Sequence, residues 1–219
     1  MSESAQPVMP ETDDGGGDEL RAAPRFTLLL RTAKLIGAAG EYLCVVRDVS
    51  STGISVRTFH PLSESRLVLE LPNGDRHPLD KVWENDGAAG FRFAGEEVDV
   101  TRLIEGKGRF PKRGVRLHME LPATLSSLGG LHDAVVRNLS QQGARVETRS
   151  RFALDQRVQL ELKGLPAIRA VVRWRKDQEY GLAFVDTFQF AELARLAATL
   201  QSGCRTEFTT GEQMRNEVA

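Results

Sequence analysis

The sequence has few of the features that mark secreted, membrane-spanning or metal-binding proteins. It has only two cysteines in 219 residues, Cys44 and Cys204, which lie 160 positions apart without CxxC spacing. This pattern argues against a disulfide-rich scaffold and a zinc cluster. No apolar run approaches the roughly 18 residues of a membrane-spanning helix, and the acidic first 20 residues do not resemble a signal peptide. We therefore predict a cytoplasmic protein without a membrane span, a disulfide framework or a structural metal.

Enzyme signatures are also absent from the sequence. The four histidines show no metal-ligand spacing, and no GxSxG, HExxH or Walker A motif is present. No pair of carboxylates is singled out as an acid–base couple. We predict that the protein is not an enzyme and carries no cofactor. Aromatic residues make up only 6% of the chain, which leaves few stacking surfaces for single-stranded nucleic acid and argues against nucleic acid as a partner.

Charge is balanced overall but unevenly distributed. The chain has 29 Lys and Arg against 30 Asp and Glu. Residues 1–20 carry six acids and no base, whereas residues 105–204 carry 16 bases and 10 acids. The net charge of −1 therefore does not exclude an anionic partner for the second half of the chain.

The chain repeats itself with a period near 91 residues. Trp83 recurs as Trp174, and Gly90 recurs as Gly181, each 91 positions later. Around these positions, DVSSTGISVRT matches NLSQQGARVET, and LVLEL matches VQLEL. A period of this length is too long for a solenoid repeat and is typical of a duplicated small domain.

Each copy has the pattern of short antiparallel strands followed by a helix. Apolar residues alternate with other residues in stretches such as 67–71 and 117–121, and turn residues separate these stretches. The pattern is typical of a small antiparallel barrel, and a helical periodicity ends each copy, more clearly around Leu193 than in the first copy. Trp83 and Trp174 both fall within a strand pattern, so we predict that they lie in the barrel cores.

These patterns divide the chain into four parts. Residues 1–18 are predicted to be a disordered acidic tail, since they cannot bury enough apolar surface to offset the entropy of ordering. Residues 19–104 and 105–201 are the two predicted barrel domains. Residues 202–219 are predicted to be a flexible C-terminal tail.

Arginines and a turn motif stand out in the first copy. RAAPR, before the first predicted strand, has the spacing RxxxR, and DVSSTG follows the pattern D/NxSxxG. In this order the chain resembles a tandem pair of PilZ domains over roughly residues 19–201. The resemblance implies two six-stranded antiparallel barrels, each followed by a C-terminal helix, in a bacterial receptor for cyclic di-GMP. The candidate ligand-binding residues of the first copy are Arg21, Arg25, Arg47, Asp48, Ser50 and Gly53.

The residue types of this motif suit a cyclic dinucleotide, which presents two phosphodiesters and two guanines. An arginine fork binds phosphate oxygens or guanine O6 and N7 in pairs, and its flat face stacks on a purine. Asp48 can accept from guanine N–H groups, Ser50 can donate to phosphate, and Gly53 allows close approach of the backbone. The alternative is a tight turn in which Asp48 or Ser50 bonds local N–H groups and Gly53 has a positive φ.

The second copy departs from the motif at one position. NLSQQG completes the D/NxSxxG pattern, but KRGVR has Lys112 where the first copy has an arginine. Lysine keeps the charge and loses the planar fork, so we predict a second, weaker site. Its candidate residues are Lys112, Arg113, Arg116, Asn138, Ser140 and Gly143.

The resulting prediction is a receptor that binds cyclic di-GMP principally through residues 21–104. It signals through contacts with an unidentified protein partner, for which the resemblance implies motility or exopolysaccharide machinery. Both arginine segments follow Gly-rich stretches, so ligand binding is predicted to order them. The alternative is a PilZ-like protein-interaction module that binds no ligand.

Overall fold

The first half of the chain closes into a six-stranded antiparallel barrel. The computed structural model describes residues 26–105 and 114–201. Outside the described residues lie both predicted tails and four of the candidate ligand-binding residues: Arg21, Arg25, Lys112 and Arg113. The elements of the first barrel are β1 (Phe26–Gly37), β2 (Gly40–Val49), β3 (Gly53–Arg57), β4 (Arg66–Glu70), β5 (Arg76–Asn85), β6 (Ala88–Phe93) and α1 (Val100–Glu105).

The second barrel repeats the first element by element. The strands neighbour one another in the order β1-β2-β3-β6-β5-β4 in the first barrel and β7-β8-β9-β12-β11-β10 in the second. This identical topology confirms the predicted fold of two six-stranded barrels, each followed by a helix. The elements of the second barrel are β7 (Leu117–Ser127), β8 (Gly130–Ser140), β9 (Gly143–Glu147), β10 (Arg157–Leu162), β11 (Ile168–Lys176), β12 (Glu179–Phe184) and α2 (190–201).

Period-two alternation fills the barrel interiors. In β3, Ile54 and Val56 are buried while their neighbours are not, as expected for a strand with one face on the core. The helices differ in how much they contribute. Leu193 and Ala197 of α2 are fully buried against the second core, whereas in the short α1 Leu103 packs into the first core. The stronger helical pattern of the second copy is therefore the one that buries more.

β-Bulges at equivalent positions interrupt the alternation in both barrels. The pairing register of β2 with β3 shifts between Val46 and Asp48, and that of β5 with β6 shifts before Trp83. The second barrel has matching shifts before Asn138 and before Trp174. A bulge inserts one unpaired residue and so turns the side chains that follow it to the other face of the sheet.

A buried lysine ties the two barrels together. Lys34 of β1 is 2% exposed, and its Nζ lies 2.9 Å from Glu41 Oε2 and 3.0 Å from Glu70 Oε1. The same Nζ donates to the backbone oxygen of Arg116, at 3.4 Å, in the second barrel. The backbone N–H of His118 donates to Glu41 Oε2 at 2.8 Å. Charged side chains of the first barrel therefore form hydrogen bonds with backbone groups of the second barrel.

The Lys34 cluster sets the ionisation of Glu70. Burial alone would raise the pKa of its carboxyl group, but hydrogen bonds from Lys34 and Arg76 outweigh this and lower the pKa below its ordinary value. The carboxylate form is thus the one that the fold stabilises.

The end of α2 completes the contact between the barrels. The side-chain amide of Gln201 accepts from the N–H of Glu41 at 2.9 Å and donates to the carbonyl of Glu41 at 2.8 Å. Gly40 makes room for it, because a Cβ at that position would collide with the Gln201 side chain. Nearby, the rings of Phe59 and Phe190 meet edge to face, 5.7 Å apart. Polar and aromatic contacts together fix the first barrel against α2.

Candidate ligand-binding site

A row of four cross-strand neighbours forms the wall of a pocket on the outer face of the first barrel. Asp48 pairs with Ser55, Ser55 with Gly90, and Gly90 with Trp83, across strands β2, β3, β6 and β5. Ser55 Oγ donates to Asp48 Oδ2 at 2.9 Å. All four residues line one pocket, which has a cavity volume of about 250 Å³.

The second barrel has the same row with different chemistry. Asn138 pairs with Arg145, Arg145 with Gly181, and Gly181 with Trp174. These residues line a pocket of about 260 Å³, close to the volume of the first. Since Arg145 stands where the first barrel has Ser55, the second pocket gains a cation in the middle of its wall.

Both tryptophans lie on the surface, and the prediction that they belong to the barrel cores is wrong. Trp83 is 46% exposed and Trp174 is 43% exposed. Strict alternation places each on the same face as the buried Leu79 or Val172, but the bulge that precedes each tryptophan turns it outward. The indoles are therefore available to a ligand.

The glycine opposite each tryptophan lets the indole lie flat on the neighbouring strand. A Cβ on Gly90 would collide with the ring of Trp83, and a Cβ on Gly181 would collide with the ring of Trp174. Neither glycine has a positive φ. These two glycines serve close packing of the ring rather than an unusual backbone conformation.

The turn motif closes the hairpin beside each pocket. The N–H of Ser50 donates to the carbonyl of Gly53 at 2.8 Å, and the N–H of Gly53 donates to Ser50 Oγ at 3.1 Å. The Ser50 hydroxyl also donates to the Gly53 carbonyl, at 3.3 Å, and Ser140 does the same to Gly143 at 3.0 Å. The local hydrogen bonds of the alternative turn interpretation are thus present at Ser50.

The motif glycines do not have the positive φ of that turn interpretation. A Cβ on Gly53 would lie 2.8 Å from the carbonyl oxygen of Phe91, and one on Gly143 would collide with the carbonyl of Leu182. The close approach that requires glycine is therefore made by the neighbouring strand. Both glycines still line their pockets, as do Ser50 and Ser140.

The described cations are distributed unequally between the pockets. Arg92 is the arginine among the residues that line the first pocket, which also contains Asp48. The second pocket contains Arg116, Arg145 and Arg173, and Asn138 replaces the acid. Of its arginines, Arg173 forms an ion pair with Asp155 at 2.8 Å. Among the described residues, the second pocket is the more cationic.

Arg145 has an unused donor in this pocket. Its Nη1 lies 3.3 Å from Glu179 Oε1, but its Nε is buried and has no hydrogen-bond partner among the described residues. A buried donor without a partner carries a free-energy cost unless a ligand or water satisfies it.

The structure brings together some of the predicted residues and leaves others apart. Asp48, Ser50 and Gly53 share the first pocket, and Arg116, Asn138, Ser140 and Gly143 share the second. Arg47 is exposed and is not part of the pocket lining. The four residues of the RxxxR segments other than Arg116 lie outside the described residues, so their part in the site stays a prediction.

Sequence reasoning missed several residues of the pocket wall. Trp83, Trp174 and Arg145 were not singled out as ligand contacts, although each lines a pocket. The repeat held a signal for the tryptophans, because each tryptophan recurs in register with the glycine seven positions later. Two residues conserved at the same spacing in both copies indicate a contact between them.

The indole positions can be tested by adding a Cβ to the facing glycines. Gly90→Ala is expected to displace Trp83, and Gly181→Ala to displace Trp174, each shifting tryptophan emission to longer wavelength. Since a half-exposed ring can move, the loss of stability should be limited to about 1–3 kcal/mol, the usual cost of overpacking. Emission spectra and urea unfolding measure both effects.

Gly114→Ala is the matched control for these variants, because a Cβ at that position meets no atom within 4 Å. It should leave the emission unchanged. An unshifted spectrum in both Gly90→Ala and Gly181→Ala would contradict the flat packing of the indoles.

Other kinds of site are not formed by the described residues. No three His, Cys, Asp or Glu side chains of residues 31–103 and 114–201 come together in a way that could hold a metal ion. Burial raises the pKa of the Cys44 thiol and so keeps it protonated and unreactive. None of the helices in the described part of the chain is long and apolar enough to cross a membrane.

Comparison with known proteins matches the second barrel to a family. Residues 109–200 fit the model of the PilZ domain. No curated protein matches the chain.

Several solved structures of low sequence identity match most of the chain. The PlzA protein of Borreliella burgdorferi in complex with c-di-GMP is 11% identical over 78% of this chain and 92% of its own, with a TM-score of 0.34. YcgR from Escherichia coli, also in complex with c-di-GMP, is 10% identical over 86% and 88%, with a TM-score of 0.29. The Bacillus subtilis inhibitor of motility MotI/DgrA is 13% identical over 84% and 99%, with a TM-score of 0.33.

Proposed function

We propose that this chain, whose residues 109–200 fit the model of the PilZ domain, is a cyclic di-GMP receptor that signals by contact with a protein partner. One observation carries the proposal. In both barrels the D/NxSxxG turn borders a pocket that also holds an exposed tryptophan face and at least one arginine. The turn motif and these side chains come from different strands, so their meeting twice in one chain supports a shared ligand.

The second pocket offers each group that a cyclic dinucleotide needs. Arg145 and Arg173 line the pocket, and their guanidinium groups carry donors for phosphate or guanine oxygens. The exposed face of Trp174 can stack on a purine. The amide of Asn138 offers both a donor and an acceptor. An anionic, aromatic ligand is the chemistry that satisfies this set together.

The first pocket has the acid that the second lacks. Asp48, which accepts from Ser55, can accept from guanine N–H groups, and Trp83 supplies the stacking face. Arg92 is the described cation, and Arg21 and Arg25 are proposed to supply the rest of the positive charge. Ser50, whose hydroxyl is held within the turn, is proposed to shape the site more than to bind phosphate.

The ranking of the two sites stays a prediction. Sequence reasoning placed the stronger site in the first copy because Arg21 and Arg25 form a full RxxxR. The described cations instead favour the second pocket, where three arginines meet. If Lys112 weakens ligand binding at the second site, the first site is the stronger one; if it does not, the second site is.

The signal is proposed to pass through Arg116. Its side chain lines the second pocket, and its carbonyl accepts from Lys34 of the first barrel. A ligand that repositions Arg116 thus acts on a residue that both barrels share. The partner surface would then change with the contact between the barrels.

Hydrogen exchange with and without cyclic di-GMP tests the proposal. Ligand is expected to slow exchange at residues 19–26 and, if the second site fills, at 106–116, because the arginines of these segments bind the phosphates. Residues 168–172, in the first half of β11, serve as an internal reference that should not change. Saturating ligand without protection at either segment would rule out this mode of signalling.

A further inference from the structure

One end of the second barrel carries exposed leucines on a protruding hairpin. The β7–β8 hairpin turns at residues 127–130, and Leu128 and Leu131 on it are 110% and 72% exposed. Leu154, in the loop between β9 and β10, is 56% exposed. Apolar side chains this exposed at a hairpin tip contribute nothing to the core, and water contact with them is unfavourable.

Hydrogen bonds join this hairpin to the two neighbouring loops. His132 lies next to Leu131, and its Nδ1 forms a hydrogen bond of 3.0 Å with Ser150 Oγ. Tyr180 donates to the carbonyl of Ser150 at 3.1 Å, and Thr148 donates to Gln178 in the β11–β12 turn at 3.0 Å. The three loops therefore form one continuous surface, here called the distal face.

The distal face is rich in exposed cations. Arg149 and Arg151 flank Ser150, and Arg175 and Lys176 lead into the β11–β12 turn. Three exposed acids lie among them, and one of these is paired with Arg173. Arg157, at the start of β10, is exposed at the same end. The positively charged residues thus outnumber the acids around the leucine tip.

The corresponding end of the first barrel is different in each respect. Its β1–β2 hairpin has Ala38 and Ala39 at the tip, and their N–H groups donate to the carboxylate of Glu64 at 2.8 and 2.9 Å. The described first barrel, residues 26–105, has 9 bases and 12 acids, whereas residues 114–201 have 12 bases and 9 acids. The exposed tip leucines and the excess of bases therefore occur together in the second barrel, and the first barrel has neither.

We propose that the distal face docks on an anionic lipid bilayer, with Leu128 and Leu131 inserted among the headgroups and the surrounding arginines against the lipid phosphates. The distal face has apolar side chains at a hairpin tip and exposed cations on the neighbouring loops. That arrangement suits a flat interface with an apolar interior and an anionic surface. The β7–β8 tip lies at one end of β7, and Leu117 lies at the other end. The first barrel contacts the second near Leu117, so docking of the tip would not disturb the contact between the barrels.

Sedimentation of the full chain with vesicles tests the proposal. The chain is expected to bind vesicles of phosphatidylcholine with about 30% phosphatidylserine at low salt, and much less to pure phosphatidylcholine, since anionic lipid supplies the attraction. Leu128→Ser/Leu131→Ser should lower the partition coefficient by about tenfold or more. Arg149→Gln/Arg151→Gln should lower it by a similar factor at low salt and by less at high salt.

Two controls keep the result interpretable. Val185→Ser changes a residue that is 54% exposed beyond the far end of β12, and it should bind vesicles like the unchanged chain. Circular dichroism should show all variants folded, because none of the altered side chains is buried. Cyclic di-GMP should not be needed for binding, so a failure of the receptor proposal would not affect this test.

Three outcomes would overturn the proposal. They are no binding to phosphatidylserine vesicles at low salt, equal binding to neutral and anionic vesicles, and unchanged binding of Leu128→Ser/Leu131→Ser. The last two would point to a nonspecific or different contact, and the first to a protein as the occupant of the distal face.

Discussion

Replacing Lys34 with methionine is expected to lower the free energy of unfolding by about 3–5 kcal/mol, the cost of removing one partner from a buried ion pair. The Lys34 side chain is 3% exposed and contacts both Glu41 and Glu70. Without it, the two carboxylates lose the cation that they share, and among the described residues only Glu70 keeps a contact with an arginine, Arg76. The two carboxylates are 14% and 19% exposed, so water relieves part of the cost, and we expect the lower end of this range. Urea unfolding measures the change.

Two variants make the origin of this loss specific. Lys34→Met/Glu70→Gln removes one of the two carboxylate charges left around the missing lysine and should recover part of the stability. Arg66→Ala breaks an ion pair with Asp80 in which the arginine is 88% exposed, and should cost less than about 1 kcal/mol. A Lys34→Met protein within about 1 kcal/mol of the unchanged chain would contradict the structural role of the cluster.

The same cluster predicts a dependence on pH. Because folding lowers the pKa of Glu70 from 4.5, its contribution to stability is fully present above that pH and is lost as the pH falls through the folded-state pKa. In Lys34→Met, this part of the acid dependence should be reduced.

Replacing Arg25 with alanine is expected to weaken cyclic di-GMP binding at the first site by about 1.5–3 kcal/mol, the value of a charge-assisted hydrogen bond. Arg21→Ala/Arg25→Ala should lose more, since both forks of the RxxxR segment disappear. Stability should hardly change, because these residues precede β1. Calorimetric titration of each variant gives the affinity, and urea unfolding gives the stability.

The matched control is Arg102→Ala, which removes an exposed arginine of α1 outside the pocket lining and should bind as before. In a chain that already carries Arg21→Ala/Arg25→Ala, Lys112→Arg should tighten the remaining site by restoring the planar fork. Unchanged affinity in Arg21→Ala/Arg25→Ala would remove the arginine segment from the first site.

Much of the fold could be predicted because its signals are local and occur twice. Alternation in stretches such as 67–71, the turn residues between them and the 91-residue register required no knowledge of tertiary structure. The duplicated turn motif also placed Asp48 and Asn138 at equivalent points, and the structure puts each in a pocket. Strands, turns and the repeat depend on residues close together along the chain, so the sequence alone predicts them.

The pocket walls could not be predicted, because they depend on bulges. Alternation assigns Trp83 to the interior, and one inserted residue in β5 reverses that assignment. Arg145 becomes a pocket residue because of its pairing with Asn138 on another strand. The contact between Lys34 and Arg116 joins residues 82 positions apart, and no local pattern indicates it.

Calorimetric titration of the full chain with cyclic di-GMP tests the central claim most directly, with cyclic di-AMP as the matched ligand. Both ligands carry two phosphodiesters, but only guanine offers O6 and N7 together to an arginine fork. We predict saturable binding of cyclic di-GMP, weaker binding of cyclic di-AMP, and a loss of affinity when Arg145→Ala is added to Arg21→Ala/Arg25→Ala. Absence of saturable binding of cyclic di-GMP, or equal affinity for the two ligands, would contradict the assignment of this chain as a cyclic di-GMP receptor.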